Sequence, residues 1–334
     1  MNISKNPVTV AIPGKLFFAG EYAVTRPGGM ALVTTIETDF SVTISQSTSG
    51  RSKLSTNIDL PDFEFMWERF TDTDASGWEF VLKTLKLMKI SGYPEIDLRI
   101  ESLLGFGETK KGYGSSSCVV VGVVKAVNAF YGLNLSLDEQ FKIAGEAHYR
   151  VQGSGSLGDV AAITYGGMIF YRSGNREIVV KHSGIYMDFS GYEIKPLALP
   201  ETWQTYVVET GKAAKTGEKL KIELSEDFYK RSDELVIEQA TAIDMQDFAL
   251  FKEKLLENQL LLLENIPEGY MTQKLALALN IVNSYPELAG KISGAGFGEN
   301  IVVFAESDEN IPLISEELKK NGMTMAKFQP FSEK

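Results

Sequence analysis

The sequence predicts an α+β fold in two domains, because strand patterns dominate its first part and long amphipathic helices its second. β-Rich or alternating stretches predict strands at residues 8–12, 40–44 and 96–100. Apolar residues at helical spacing predict helices at residues 233–263, in one or two segments, and at 272–284. The pattern weakens near Pro196 and Pro200, which gives predicted domains of 1–195 and 196–334.

The remaining elements follow from the same periodicities and from helix-capping residues. Residues 115–131 predict a buried helix that begins with three serines, any of which can cap it, and that ends before Gly132. Ser136 and Glu139 have the spacing of a capping box, which predicts a helix running to about Tyr149. Further helices are predicted at 79–88 and 314–321, and further strands at 168–171 and 301–304.

The composition excludes several classes of function. The 334 residues carry 33 basic and 44 acidic side chains, and this formal charge of -11 argues against a nucleic-acid-binding protein. An anionic substrate would therefore need a local cluster of Lys or Arg. A single cysteine excludes an intrachain disulfide and, with two histidines, disfavours a zinc site. The longest aliphatic run, 119–124, is far shorter than the ~20 residues of a membrane span, so we expect a cytoplasmic protein without a membrane partner.

A glycine-bearing turn, Gly112-Tyr113-Gly114, opens directly into the helix predicted at 115–131. Free N–H groups and the positive end of the helix dipole would then face one spot, which suits a bound phosphate. The same pattern also describes an ordinary capped helix start. Neither a P-loop motif nor a strand-borne Gly-x-Gly-x-x-Gly motif is present.

Two charged positions could complete such an anion site. Lys15 follows a Pro-Gly turn among apolar residues, and it is either a surface residue or a fixed cation for phosphate. Glu21 could pair with Lys15 or face solvent. Asp159 stands between the Gly/Ser-rich loop 153–158 and four apolar or small residues. Its carboxylate could cap the next helix, hold Mg²⁺, orient Lys15 or accept a proton.

A second glycine-rich segment, 293–298, precedes the strand predicted at 301–304. Three glycines in the five positions 294–298 indicate either a close approach of the backbone to a ligand or a tight turn before the strand.

Taken in order, three of these segments resemble the motifs of the GHMP kinases, a superfamily of ATP-dependent small-molecule kinases. The segments lie at 13–22, 112–117 and 293–298, so the resemblance spans nearly the whole chain. It implies an N-terminal domain like domain 2 of ribosomal protein S5, a ferredoxin-like C-terminal domain, and an active site in the cleft between them. ATP and Mg²⁺ are the implied cofactors, and both a monomer and a homodimer are compatible with it.

Two segments are most similar to the phosphomevalonate kinase branch of this family. Gly20-Glu21-Tyr22 stands where mevalonate kinases usually carry Gly-Glu-His, and residues 155–162 resemble the same branch. The resemblance implies transfer of the γ-phosphoryl of ATP to mevalonate 5-phosphate. Mevalonate kinase is the alternative enzyme, and a non-catalytic sensor of nucleotide or metabolite is an alternative of a different class.

The resemblance also implies roles for individual residues. Lys15 would bridge the donor and acceptor phosphates, Lys110 would hold the β- and γ-phosphates, and Asp159 would orient Lys15 or contact the metal. Ser116 would ligate Mg²⁺. The implied nucleotide-binding residues are Gly112, Tyr113, Gly114, Ser115, Ser116 and Ser117. The implied acceptor contacts are Lys15, Tyr22, Ser156, Thr216 and Ala295, with added positive charge from Lys212 and Lys215.

Three positions depart from the family pattern. Tyr113 stands where Leu or Phe is usual, and Glu299 stands where this branch tends to have Asp. Phe297 replaces a usual glycine and could narrow or re-aim the loop, which bears on the acceptor more than on the nucleotide.

Overall fold

The computed structural model describes residues 3–69, 77–90, 92–104, 111–181, 184–211, 222–298 and 300–331. Strands and helices occur mostly in separate runs through this part of the chain, which confirms the α+β class. The helices are α1 Glu79–Leu87, α2 Ser115–Tyr131, α3 Leu137–Gln152, α4 Gly158–Tyr165, α5 Glu226–Asp244, α6 Phe248–Asn265, α7 Gln273–Asn283 and α8 Ile311–Lys320. The first strands are β1 Val8–Ala11, β2 Gly14–Ala19, β3 Met30–Ile36, β4 Phe40–Gln46, β5 Ser52–Thr56, β6 Phe63–Phe65 and β7 Ile96–Ser102. The later strands are β8 Met168–Arg172, β9 Ile178–Lys181, β10 Gly184–Met187, β11 Glu193–Leu197, β12 Gln204–Glu209, β13 Leu288–Ser293, β14 Asn300–Ala305 and β15 Thr324–Phe328.

Two sheets form the first half of the protein. One has five strands in the order β1-β4-β7-β5-β6, and the other has four in the order β11-β8-β3-β2. Helix α2 packs against β1 and β4 and against the helices α1, α3 and α4. Because apolar residues cover nearly its whole circumference, this contact on all sides is what the sequence predicts, and its central valines are fully buried.

The second half has a four-stranded antiparallel sheet in the order β13-β14-β12-β15. Helices α5 to α7 connect β12 to β13, and α8 connects β14 to β15, which is a ferredoxin-like arrangement. The region predicted as helical at 233–263 contains two helices, α5 and α6, and α5 begins earlier than predicted, at Glu226. They separate at Gln246, whose φ is 57°, and the Asp247 side chain caps α6 by accepting from the Leu250 N–H.

The predicted boundary between residues 195 and 196 falls within β11, which pairs with β8 of the first half. The sheet of the second half begins with β12, at Gln204. We therefore propose that the domains meet in the segment 198–203.

Of the two clusters of buried apolar residues among the described residues, one extends across both halves. The Phe18 ring from β2 packs edge-on against Phe304 of β14 and Phe251 of α6, with centroid distances of 5.1 and 6.4 Å. Trp203 packs against Phe251 and Phe248 from the other side. The first half is thus held against the second by aromatic side chains as well as by polar groups.

Two helix starts that the sequence predicts have different outcomes. The capping box is confirmed, because Ser136 Oγ accepts from the Glu139 N–H and the Glu139 carboxylate accepts from the Ser136 N–H. The prediction that a serine caps α2 is wrong. Gly114, with φ of 83°, occupies the N-cap position without a side-chain cap, so the three serines lie inside the first turn. Their hydroxyls are therefore available to other partners.

Among the described residues, no helix has both the length and the hydrophobicity that crossing a lipid bilayer requires.

Candidate active site

A cleft of about 340 Å³ lies between the two halves. Residues from β2, the turn after it, α2, α3, the start of α4 and the loop after β13 form its walls. Six residues that the sequence predicts as site residues meet there: Lys15, Tyr22, Ser116, Ser156, Asp159 and Ala295. The structure thus places these predicted residues, which are scattered over the sequence, around one cavity.

Lys15 is held along the turn that leads into α2. Its backbone N–H donates to Tyr113 O at 3.0 Å, and its ammonium Nζ donates to Gly112 O at 3.0 Å. A Cβ at Gly114 would lie 3.1 Å from the Lys15 Cε, so glycine allows the lysine to approach the turn. Of the two sequence interpretations of Lys15, the geometry supports the fixed cation.

Asp159 lies in the first turn of α4, next to the first turn of α2. Ser117 Oγ donates to its Oδ2 at 2.7 Å, and the Val160 N–H donates to its Oδ1 at 3.0 Å. Leu157 occupies the N-cap position of α4, so the capping role considered for Asp159 is wrong. Burial acts to raise the pKa of Asp159, but the charges of His148 and Lys15 and these hydrogen bonds outweigh it and lower the pKa.

His148 of α3 belongs to the site but was not predicted from the sequence. It is buried, and its Nε2 lies 3.1 Å from Ser116 Oγ. Its ring lies against Phe80, with a centroid distance of 5.5 Å. The helical periodicity held a signal, since His148 follows the buried residues Phe141 and Ala144 of the same helix at spacings of a shared face.

A buried ion pair crosses between the halves beside the cleft. Lys291 Nζ lies 2.5 Å from Glu21 Oε1, and the two side chains are 0% and 3% exposed. The alternatives considered for Glu21, a pair with Lys15 or a solvated carboxylate, are therefore both wrong. Lys291 was missed, although a lysine inside the apolar stretch Leu288–Ile292 is itself unusual. Burial lowers the pKa of Lys291 despite the opposing effect of Glu21.

Tyr22 joins the same two parts of the wall. Its Oη donates to Ala295 O at 2.6 Å. Its φ is 64°, in the left-handed region that residues other than glycine rarely adopt. Burial, with a smaller effect of Glu21, raises the pKa of the phenol well above its usual value, so Tyr22 stays a neutral donor.

The departures at Tyr113 and Phe297 have separate structural explanations. The buried Tyr113 donates from its Oη to Glu209 Oε1 at 2.7 Å, which ties the turn before α2 to β12. Phe297 packs edge-on against Tyr270 at 6.4 Å, and its N–H donates to Tyr270 O. The Phe297 ring is not among the residues that line the cleft, so it does not narrow the cavity directly.

Five residues named in the sequence analysis lie outside the described residues: Lys110, Lys212, Lys215, Thr216 and Glu299. Their roles stay predictions.

A second cavity, of about 280 Å³, adjoins the same turn from the other side. Ser115, Ser116 and Val119 of α2 form one wall. The opposite walls are mainly apolar and include Ile58, Leu60, Trp78, Phe80, Val81 and Ile100. The first turn of α2 thus lies between a polar cleft and an apolar pocket.

The donor atoms near α2 fit Mg²⁺ when other ligands complete its shell. No group of three or more His, Cys, Asp or Glu residues that could hold a metal occurs in the described ranges. The Ser116 hydroxyl and the Asp159 carboxylate nevertheless offer oxygen atoms, and Mg²⁺ commonly takes one or two protein ligands beside phosphate oxygens and water.

Comparison with known proteins gives two matching family models. The model described as GHMP kinases N terminal domain matches residues 79–167, and the model described as GHMP kinases C terminal matches residues 237–323. The first match contains α1 to α4, including the turn before α2 and Asp159. The second contains α6 to α8, the strands β13 and β14, and the glycine loop at 293–298.

Individual relatives agree with these models. The chain is 30% identical to a phosphomevalonate kinase of Streptomyces sp. in an alignment of 242 residues that covers 65% of this chain and 65% of that protein. It is 28% identical to a mevalonate kinase of Saccharolobus solfataricus in an alignment of 177 residues that covers 51% of this chain and 52% of that protein. The match thus spans about two thirds of the first relative and about half of the second.

A solved structure extends the likeness of fold to nearly the whole chain. The phosphomevalonate kinase of Streptococcus pneumoniae, in complex with phosphomevalonate and AMPPNP, superposes with a TM-score of 0.81 at 23% identity. The superposition covers 96% of this chain and 99% of that one. Since the two family models together match more than half of the residues, and the fold agrees with theirs, the chain belongs to the GHMP kinase family.

Proposed function

We propose that this protein is a phosphomevalonate kinase, which transfers the γ-phosphoryl of ATP to mevalonate 5-phosphate and yields mevalonate 5-diphosphate and ADP. The observation that carries the proposal is the pair of charged groups in the cleft. Lys15 is a cation fixed by Gly112 O, and Asp159 is a carboxylate whose pKa lies below its ordinary value. The Streptomyces and pneumococcal phosphomevalonate kinases support the choice of substrate.

The character of Asp159 favours a phosphate as the acceptor. Both of its carboxylate oxygens already accept hydrogen bonds, from Ser117 Oγ and from the Val160 N–H, which suits an orienting role better than that of a general base. An alcohol acceptor needs a base, whereas a phosphate acceptor is already an anion and needs little deprotonation. Its main requirement is neutralisation of the charge repulsion between the two phosphate groups, which Lys15 can supply.

The donor phosphates would bind at the first turn of α2. The backbone N–H groups of residues 115–117 belong to the first turn and have no acceptor within the helix. They lie at the positive end of the helix dipole, which attracts anions such as phosphate. Lys15 would lie between these phosphates and the acceptor. Lys110, whose position is outside the described residues, is proposed to hold the β- and γ-phosphates.

The base of ATP would occupy the apolar pocket on the other side of α2. The pocket adjoins Ser115 and Ser116, so a nucleotide whose phosphates lie at this turn can place its base among apolar and aromatic side chains. This assigns contacts that the sequence motifs left undefined.

Mg²⁺ would be held by Ser116 Oγ and the ATP phosphate oxygens, near Asp159, and would neutralise phosphate charge when bound. His148 Nε2 lies against Ser116 Oγ and thereby keeps the hydroxyl at this position.

The acceptor would bind between Lys15, Tyr22, Ser156 and Ala295, with Thr216 as a further proposed contact. The Ser156 loop is held in place, because Tyr171 Oη donates to Ser156 O at 2.7 Å and the Gly158 N–H donates to Ser156 Oγ. We expect the reaction to take place in the cytoplasm, in a monomer or a homodimer.

The test is release of ADP from ATP and Mg²⁺ in the presence of mevalonate, mevalonate 5-phosphate, mevalonate 5-diphosphate, galactose or homoserine. Turnover confined to mevalonate 5-phosphate is the expected result. Turnover on mevalonate instead would leave the proposed phosphate site unchanged but would make Asp159 the required base. The likeness to the Saccharolobus mevalonate kinase makes this the second candidate. Binding of ATP without turnover on any acceptor would indicate a non-catalytic sensor and would overturn the proposal.

A further inference from the structure

The ion pair between Glu21 and Lys291 has no part in the proposed transfer, yet it joins the two halves of the protein beside the acceptor side of the cleft. Glu21 follows β2, and Lys291 lies in β13. Lys291 also donates to Ile292 O at 3.0 Å, so its ammonium is anchored to its own strand as well.

A second bond joins the same two segments. Tyr22 follows Glu21 directly, and its Oη donates to Ala295 O, in the loop that follows β13. Residues 20–22 are therefore tied to residues 291–295 at two points. Both Tyr22 and Ala295 line the cleft, so the two cross-links set the distance between its two walls.

The segment 20–22 needs outside support to keep its shape. Gly20 and Tyr22 have φ values of 80° and 64°. A Cβ at Gly20 would lie 1.9 Å from Met30 O, so only glycine allows the turn to approach β3 this closely. A residue other than glycine persists in this backbone region only when the surrounding structure determines it. The two cross-links supply that determination for Tyr22.

Stability alone does not explain the buried pair. A buried ion pair offsets its loss of hydration only when the remaining lone pairs and protons also find partners. Glu21 Oε2 is buried and has no hydrogen-bond partner in the part of the chain that the structure describes. Apolar residues of similar volume often replace such pairs without loss of stability, so stability is weak grounds for a charged pair at this position.

We infer that Lys291 is a positioning residue: through Glu21 it fixes the Tyr22 turn against the Gly294–Ala295 loop and so sets the width of the acceptor side of the cleft. This inference rests on the proposed function, in which Tyr22 and Ala295 contact the acceptor. In the proposed function the donor phosphates bind at the first turn of α2, whereas Tyr22 and Ala295 contact the acceptor. Loss of the pair should therefore affect the acceptor and leave ATP binding intact.

The test compares the double variant Glu21→Met/Lys291→Met with wild type and with Lys252→Met. Lys252 is a matched control, because it is also a partly buried lysine that donates to backbone oxygens, those of Tyr285 and Pro286, but it does not line the cleft. The double variant removes both charges together, so no unpaired charge stays buried.

We expect the double variant to keep its Tm within about 3 °C of wild type or above it, because the buried charges add little stability. The acceptor KM should rise at least ~10-fold, because Tyr22 and Ala295 no longer hold the acceptor between them, while the ATP KM stays within ~2-fold. Lys252→Met should change neither constant. A folded double variant with wild-type acceptor KM would overturn the inference.

If the double variant does not fold, Glu21→Gln decides, since it keeps the shape of the side chain and removes its charge. An acceptor KM raised at least ~3-fold supports the inference, and an unchanged one overturns it. If wild type turns over mevalonate in place of mevalonate 5-phosphate, only the proposed substrate is overturned. The same comparison of KM values would then be made with mevalonate. If wild type turns over no acceptor, the calorimetric Kd of mevalonate 5-phosphate replaces KM, and absence of binding overturns both proposals.

Discussion

Ser117 Oγ donates a 2.7 Å hydrogen bond to Asp159 Oδ2 and so joins the first turn of α2 to the first turn of α4. The hydroxyl donates a hydrogen bond to the carboxylate, and this bond favours the ionised form of Asp159. Asp159 is thus built into the phosphate site as a fixed negative charge.

Asp159→Asn should lower kcat on mevalonate 5-phosphate by roughly 10-fold, because the residue orients its neighbours and does not remove a proton in the proposed reaction. A general base contributes about 10²–10⁴-fold, so a loss at the upper end of that range would contradict the orienting role. Steady-state kinetics measures the effect. Asp138→Asn is the control, since Asp138 is a carboxylate of α3 paired with Lys142 away from the cleft.

The pH dependence of stability should report the lowered pKa of Asp159. A carboxyl whose folded-state pKa is depressed contributes stability above its unfolded pKa of about 3.9 and loses it as the pH falls through the folded pKa. The free energy of unfolding of wild type relative to Asp159→Asn should therefore be constant between about pH 5 and 7 and decrease below about pH 4. Urea unfolding at several pH values measures it. A fall in this difference as the pH rises from 5 to 7 would mean instead that the pKa is raised.

Lys15→Ala should lower kcat at least ~100-fold, with a parallel fall in kcat/KM, because a preorganised cation acts mainly on the charge of the transition state. The comparison variant is Lys142→Ala, which removes a half-buried lysine of α3 that pairs with Asp138 and does not line the cleft, and it should retain activity. Circular dichroism confirms that each variant is folded. A loss of less than tenfold in folded Lys15→Ala would remove Lys15 from its central role.

Val119→Phe should raise the KM for ATP by roughly 10-fold and leave the acceptor KM unchanged, because the larger side chain fills the pocket proposed for the base. Initial rates at varied ATP concentration measure it. The control is Val180→Phe, which adds the same ring to an exposed position of β9, where Val180 is 76% exposed. Equal effects on both substrates would place the base elsewhere.

Phe297→Gly should leave the choice of acceptor unchanged, because the ring packs on Tyr270 and does not line the cleft. Its φ is 61°, so glycine relieves backbone strain of about 1 kcal/mol, which partly offsets the lost burial of a half-buried ring. The net change in stability should stay within about 1–2 kcal/mol. Turnover on mevalonate by the variant alone would show that Phe297 controls the acceptor.

Local signals predicted the elements that carry the phosphate site. Helix α2 was predictable because its apolar surface extends all round and glycines mark both its ends, and α3 because its capping box is a contact between near neighbours. Strands β3 and β13 were not predicted. They are buried on both faces, so they lack the alternation of polar and apolar residues that identifies a half-buried strand.

The site residues also divide into those that a local motif identifies and those whose role depends on distant partners. Lys15, Ser116 and Asp159 stand in short motifs, so a sequence pattern can identify them. His148 and Lys291 acquire their roles from partners that are far away in the sequence, Ser116 and Glu21. Sequence periodicity indicates that such residues are buried, but it does not indicate which side chain they contact.

The aromatic contacts between Phe18, Phe251 and Phe304 have a consequence for thermal unfolding. Because these rings belong to both domains, neither domain keeps a complete core when the other melts. Calorimetry should therefore record one cooperative transition for the two domains, with equal van't Hoff and calorimetric enthalpies. A half expressed alone would expose this aromatic surface to water and should aggregate more readily than the intact protein.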